Sequence, residues 1–145
     1  MRRRTERMNK VFLLAETDAK QQCRAMGQSQ QSLDDEIKRL EELKAYRLSY
    51  GMQCREGQFN SSQLKDYQSF LKRLDQAVSI QTRVVMDGRQ KRDAHRSRWM
   101  TKQRKAESLE RAVDRLQRRD TDVDGRREQK EADELSIRRD GSPCN

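Results

Sequence analysis

The fold this sequence predicts is all-α: two helices paired antiparallel in a coiled-coil hairpin with unequal arms, the second helix longer. Three observations predict it. Apolar residues recur at heptad spacing through two long stretches, one glycine- and serine-bearing break separates them, and the composition leaves little room for another class. The 145 residues are 39% charged, 32% hydrophobic and 5% aromatic, with a single proline, Pro143. Globular chains run to about 45–50% apolar, so a core of ordinary size is not expected. A parallel sheet needs continuous Val/Ile/Leu runs, and the sequence has none. A disordered basic chain and a narrow-seamed coiled coil both fit that arithmetic, and periodicity decides for the coiled coil.

The first helix is expected over about residues 5–50. Steps of seven from Phe12 give Ala19, Met26, Leu33 and Leu40, with Met8, Ala15, Leu43 and Tyr50 in the companion stripe. Gln22, Ser29 and Glu36 are weak members of that stripe, and Cys23 and Ile37 lie just beside the seam. The turn is expected over 51–61, the segment that carries Gly51 and Gly57. Asn60 followed by Gln63 fits a capping box, in which each side chain satisfies an orphan backbone amide of the first helical turn.

The second helix is expected over about 62–138. Steps of seven from Leu64 give Leu71, Val78, Val85, Arg92, Trp99, Ala106 and Val113, with only Arg92 breaking the apolar series. Its companion stripe runs Tyr67, Leu74, Gln81, Gly88, His95, Lys102, Leu109, Leu116 and Val123, so the middle, Gln81 to Lys102, is polar. Residues 139–145 are expected to be a flexible tail, and the whole of 1–145 one domain.

With the turn near residue 57, facing positions should add to about 114. Leu40 then faces Leu74, and Gly27 and Gly88 fall nearly opposite each other. The longer arm overhangs by its last thirty or so residues on this pairing. Leu109, Val113, Leu116 and Val123 would lie there uncovered, and an uncovered apolar heptad stripe is usually where a partner binds.

The formal net charge is +9. Residues 83–105 hold nine basic side chains against Asp87 and Asp93, and residues 2–10 hold Arg2, Arg3, Arg4, Arg7 and Lys10 against Glu6. In the hairpin the two clusters are expected to converge at one end. From Asp120 to Glu134 the balance is acidic, seven acids against three bases. An acidic protein partner is the first reading of the basic clusters, and nucleic acid the second. Against nucleic acid, the one aromatic residue among those cations, Trp99, sits in the seam series rather than on a stacking face, and no recognition helix follows a turn.

Catalysis is not expected, and neither is a cofactor or a metal. The only histidine, His95, sits in the seam, and Cys23, Cys54 and Cys144 show no metal-ligand spacing. Two helices also offer little concavity for a small-molecule substrate. Free thiols point to a reducing cytoplasm. The run Val11 to Ala15 stops at Glu16, too short for a signal-peptide core, and nothing approaches the ~20 apolar residues that cross a bilayer.

The segment Asp66-Tyr-Gln-Ser-Phe-Leu-Lys-Arg-Leu74 resembles the Tyr-Gln-x-Phe-hydrophobic-x-x-Leu opening of the second helix in the flagellar export family FliJ. Trp99 in a basic stretch and Arg127-Glu-Gln-Lys-Glu-Ala-Asp-Glu134 are similar to that family's pattern too, and the resemblance covers nearly the whole chain. It implies a non-enzymatic part of the flagellar type III export apparatus, at the cytoplasmic side of the inner membrane. Such a protein acts as a stalk in the hexameric export ATPase ring, contacts the transmembrane export gate and handles emptied export chaperones. The injectisome stalk proteins share the shape, but Glu128-Gln-Lys130 favours the flagellar branch. The family's gate-contacting surface maps onto Phe70, Leu74, Ala77 and Gln81, with Gln81 standing where a histidine can occur. Taken with the charge reading, the ATPase ring is expected to meet Arg2, Arg3, Arg4, Arg7, Lys10, Arg98, Lys102, Leu109, Val113 and Leu116.

Overall fold

The computed structural model describes residues 2–56 and 59–140, with backbone alone for 54–56. It is 99% helical, and no strand occurs among the described residues. Helix α1 spans Arg2–Glu56 and helix α2 Ser61–Asp140, the two packing against each other, with α2 the longer. The capping box forms as the sequence predicts. The Gln63 amide donates to Asn60 Oδ1 at 2.8 Å, and the Asn60 amide donates to Gln63 Oε1 at 3.3 Å. The Leu64 amide donates to the Asn60 carbonyl at 2.9 Å, which starts the helical ladder.

Both helices outrun their expected ends. Residues 51–56 are helical rather than turn, because Gly51 alone costs about 1 kcal/mol and cannot stop a helix with good formers behind it. Asp140 closes α2, so residues 139 and 140 are helix; the rest of the expected tail, 141–145, lies outside the described residues, as does Gly57.

The paired helices divide into two compact units. The unit of residues 20–100 holds the turn. Leu33, at 1% exposure, is its most deeply buried large side chain, and Tyr67, Leu74 and Val85 are also buried. Met26, Leu40, Leu43, Tyr50, Leu71 and Val78 are half-buried beside them. Every one is a heptad position named from the sequence. Five of the chain's seven aromatic residues gather near the turn. Tyr50 stacks on Tyr67 at 4.9 Å and tilts on Phe70 at 4.6 Å, while Phe59 stacks on Tyr67 at 5.6 Å. Tyr67 Oη donates to the Tyr50 carbonyl at 2.9 Å, so the buried phenol is satisfied.

The polar stretch of the seam finds partners across it. Gln81 Nε2 donates to the Glu36 carbonyl at 2.9 Å and also to the Glu36 carboxylate, and Arg92 makes a long contact of 3.4 Å to Gln30 Oε1. A slip of one heptad would keep apolar against apolar but separate both pairs, so these polar residues fix register. His95 is half-buried with its Nδ1 enclosed and without a hydrogen-bond partner among the described residues.

The unit of residues 2–19 and 101–140 has Ala19, Ala106 and Val113 as its buried core, with Met8, Phe12, Ala15, Leu109 and Leu116 half-buried around them. Lys102 Nζ reaches Asp18 at 2.9 Å. Thr5, one heptad before Phe12, is 9% exposed and donates its hydroxyl to Asp120, one heptad after Val113, at 2.6 Å. Arg2 donates to Asp124 at 2.9 Å, and that hydrogen bond raises the guanidinium pKa above its ordinary value. The first turn of α1 carries no acid of its own, and its arginines oppose the helix dipole. Asp120 and Asp124, supplied by α2, provide the negative charge that α1 lacks there.

These contacts correct the expected pairing. Facing residue numbers add to 117 for Glu36 with Gln81 and to 122 for Gln30 with Arg92, against the expected 114. Part of the shift comes from α1 running to Glu56, which moves the turn along the chain. The rest follows from side-chain direction. Each side chain leans toward its own N-terminus, so on antiparallel helices α1 leans away from the turn and α2 leans toward it. Every meeting pair therefore lies further along α2 than a count of Cα positions suggests.

The overhang is accordingly shorter. It begins after Asp124, from where residues 125–140 are all exposed, and Leu109, Val113 and Leu116 are covered by α1 rather than free. Of the four residues expected to be uncovered, only Val123, at 44% exposure, is open.

The two glycines do not meet. A Cβ on Gly88 would sit 3.2 Å from Leu33 Cδ1, a close approach that the glycine permits, whereas a Cβ on Gly27 would touch nothing within 4 Å. Gly27→Ala should therefore raise stability by about 0.5–1 kcal/mol through helix propensity. Gly88→Ala should gain less, because Leu33 must shift to admit the methyl group. Denaturant melts of the two variants check the difference, and equal gains would refute the close approach at Gly88.

Candidate partner-binding surfaces

The first surface lies beside the turn in the unit of residues 20–100. Phe70 and Ala77 each precede a seam residue, Leu71 and Val78, and the heptad carries them onto the flank of α2, where both are half-buried. Phe70 meets the edge of Tyr46 at 6.4 Å, and Tyr46 is 53% exposed. Leu74, at 7% exposure, is floor beneath this patch rather than face. Gln81, held by Glu36, closes one end of it next to a shallow recess of about 480 Å³ lined by Arg39, Glu42, Leu43, Tyr46 and Gln81.

The structure thus brings Phe70, Leu74, Ala77 and Gln81 into one strip and adds a neighbour, Tyr46. The heptad steps pass over Tyr46 because it belongs to neither stripe. Its spacing from Tyr50, one turn of helix, is the signal that could have found it. Arg47 and Asp75, paired at 2.7 Å, tie the helices together on the same part of the unit; that hydrogen bond raises the Arg47 pKa.

The second surface lies in the unit of residues 2–19 and 101–140. Arg3, Arg4, Arg7 and Lys10 are exposed and form no ion pair among the described residues. Arg2 and Lys102 are engaged by Asp124 and Asp18. Arg98 is exposed in the other unit. Within this unit, Lys102 of the second basic cluster does not lie beside the basic start of α1. The start of α1 lies against the acidic Asp120 to Asp124, while Lys102 pairs with Asp18, sixteen residues further along α1 than Arg2. Leu109, Val113 and Leu116 are seam residues. Large apolar side chains do face outward nearby, but on α1: Val11 at 46% exposure, Leu13 at 49% and Leu14 at 72%.

No group of three or more His, Cys, Asp or Glu that could hold a metal occurs among the described residues, and no described helix is long and apolar enough to cross a membrane. The sequence pattern of the family described as flagellar FliJ protein matches residues 4–141. Neither the curated proteins nor the solved structures contain a match to the chain.

Proposed function

Because this chain belongs to the flagellar FliJ family, a non-enzymatic component of the flagellar export apparatus, we propose that it is the stalk of the export ATPase ring and couples the ring to the export gate. On this reading it has no catalytic activity of its own. It works in the cytoplasm, peripherally at the inner membrane where the flagellum is built, and also handles export chaperones released from their cargo.

The observation that carries the reading is the family match along residues 4–141 together with a two-helix architecture that holds two separate outward surfaces. The gate takes the strip Phe70, Ala77 and Gln81, with Leu74 beneath and Tyr46 beside it. The ATPase ring takes Arg3, Arg4, Arg7 and Lys10. Charge there speeds encounter and sets orientation.

Capture of the hexameric export ATPase by the purified chain, compared with a shift of duplex DNA at physiological salt, tests the proposal. Binding of the ATPase without a DNA shift is the expected result, and the converse would make this a nucleic-acid-binding protein. For the gate, Phe70→Glu with Ala77→Glu should leave helicity nearly unchanged and abolish both gate binding and motility. A double variant that stays motile would remove the gate from this strip.

A further inference from the structure

We propose that the chain holds the export ATPase through the outer face of α1 between Arg3 and Leu14, by seating Val11 and Leu14 in an apolar recess that has an acidic rim. The inference rests on the stalk reading above and identifies the surface and its chemistry. It replaces the apolar stripe of α2, which the structure shows to be occupied.

Several observations converge on this face. The seam uses Thr5, Met8, Phe12, Ala15 and Ala19, so Arg3, Arg7, Lys10 and Leu14 point away from α2. Single exposed apolar residues are ordinary on a protein surface. Three large ones within four positions, Val11, Leu13 and Leu14, with Leu14 at 72% exposure, are not ordinary on the solvent face of a helix. The four cations just before them have no ion-pair partner among the described residues, and Glu6 is the only acid of α1 before Glu16. The face is therefore both unneutralised and adhesive.

The arrangement favours a protein over a lipid surface. Arg4, Arg7, Val11 and Leu14 recur at i, i+3, i+7 and i+10 and so form one strip along α1. Charge and apolar surface are thus separated along the helix axis. A helix lying on an anionic bilayer separates them around the axis instead, with cations flanking an apolar stripe. A strip that is cationic at one end and apolar at the other fits a socket with acidic residues at its mouth and apolar ones at its base. The apolar end supplies the holding energy, and the cationic end the orientation.

The test measures the affinity of the full-length chain for the export ATPase, with vesicles of anionic phospholipid as the comparison. Val11→Gln with Leu14→Gln should weaken ATPase binding by at least about tenfold, the loss expected when two large apolar contacts are removed. Melting and helicity should stay as in the parent, because neither residue is in the seam. Arg4→Gln with Arg7→Gln should slow association and flatten its salt dependence. A Val11/Leu14 variant that binds as the parent does would overturn the inference while leaving the stalk reading in place. Vesicle binding that the variant loses while its ATPase binding persists would assign the face to lipid and overturn it as well. A parent chain that does not bind the ATPase at all would overturn the stalk reading and the inference together.

Discussion

Leu33→Ala is expected to destabilise the unit of residues 20–100 by about 2–5 kcal/mol, the largest effect of any single truncation in the seam. Leu33 is 1% exposed, and its Cδ1 lies against Gly88, which has no side chain to move into the space. The site also adjoins an existing recess of about 360 Å³ lined by Ser29, Ser32, Glu36, Val84 and Lys91 among others. Truncation there removes well-packed methyl groups from a position that cannot close around the loss. Val123→Ala, at a site 44% exposed, provides the contrast and should change stability by less than about 0.5 kcal/mol. Urea melts of both variants read the difference. If Leu33→Ala costs no more than Val123→Ala, the close approach of the helices at Gly88 is wrong.

The seam was legible because a heptad states which residues face inward without stating what they face. Ala19, Leu33, Tyr67, Leu74, Val85, Ala106 and Val113, the buried apolar residues, are all heptad positions visible in the sequence. So was the start of α2, since a capping box is a local device whose two partners are three residues apart. Which residue of α1 faces which of α2 was not legible. That depends on where the turn falls and on the lean of side chains along antiparallel helices, and an error of a few residues leaves the heptad pattern intact. The consequence reached the candidate site. Leu109, Val113 and Leu116 looked like a partner's landing stripe only while the pairing placed them beyond the end of α1. The outward Val11, Leu13 and Leu14 could have been found, because two seam residues, Phe12 and Ala15, already satisfy the heptad through that run. The aromatic cluster at the turn was hidden for another reason: Phe59, Tyr46 and Phe70 lie off the seam and come together only when the chain reverses.

Ending the chain after Asp124 and ending it after Ser108 should give opposite results. Residues 125–140 are exposed throughout and face no part of α1, so their removal takes away helix but no seam. Melting of the shortened protein should match that of the full chain. Removal from Leu109 onward strips off Val113, at 5% exposure, together with Leu116, Asp120 and Asp124. Phe12 and Met8, half-buried in the full chain, then lose their cover, each at less than the about 1.5–3 kcal/mol of a fully buried side chain. The arginine-rich start of α1 also loses the two carboxylates that oppose its unfavourable dipole. The first two to three turns of α1 should fray, visible in circular dichroism as a loss of helix greater than the deleted residues account for. On the stalk reading this deletion should also abolish stimulation of the export ATPase, because Arg3 through Leu14 form a single face only while α1 is helical there. The deletion after Asp124 should keep that stimulation. If it instead loses stimulation while melting as the full chain does, the ring is held by the overhanging end of α2 and not by the outer face of α1.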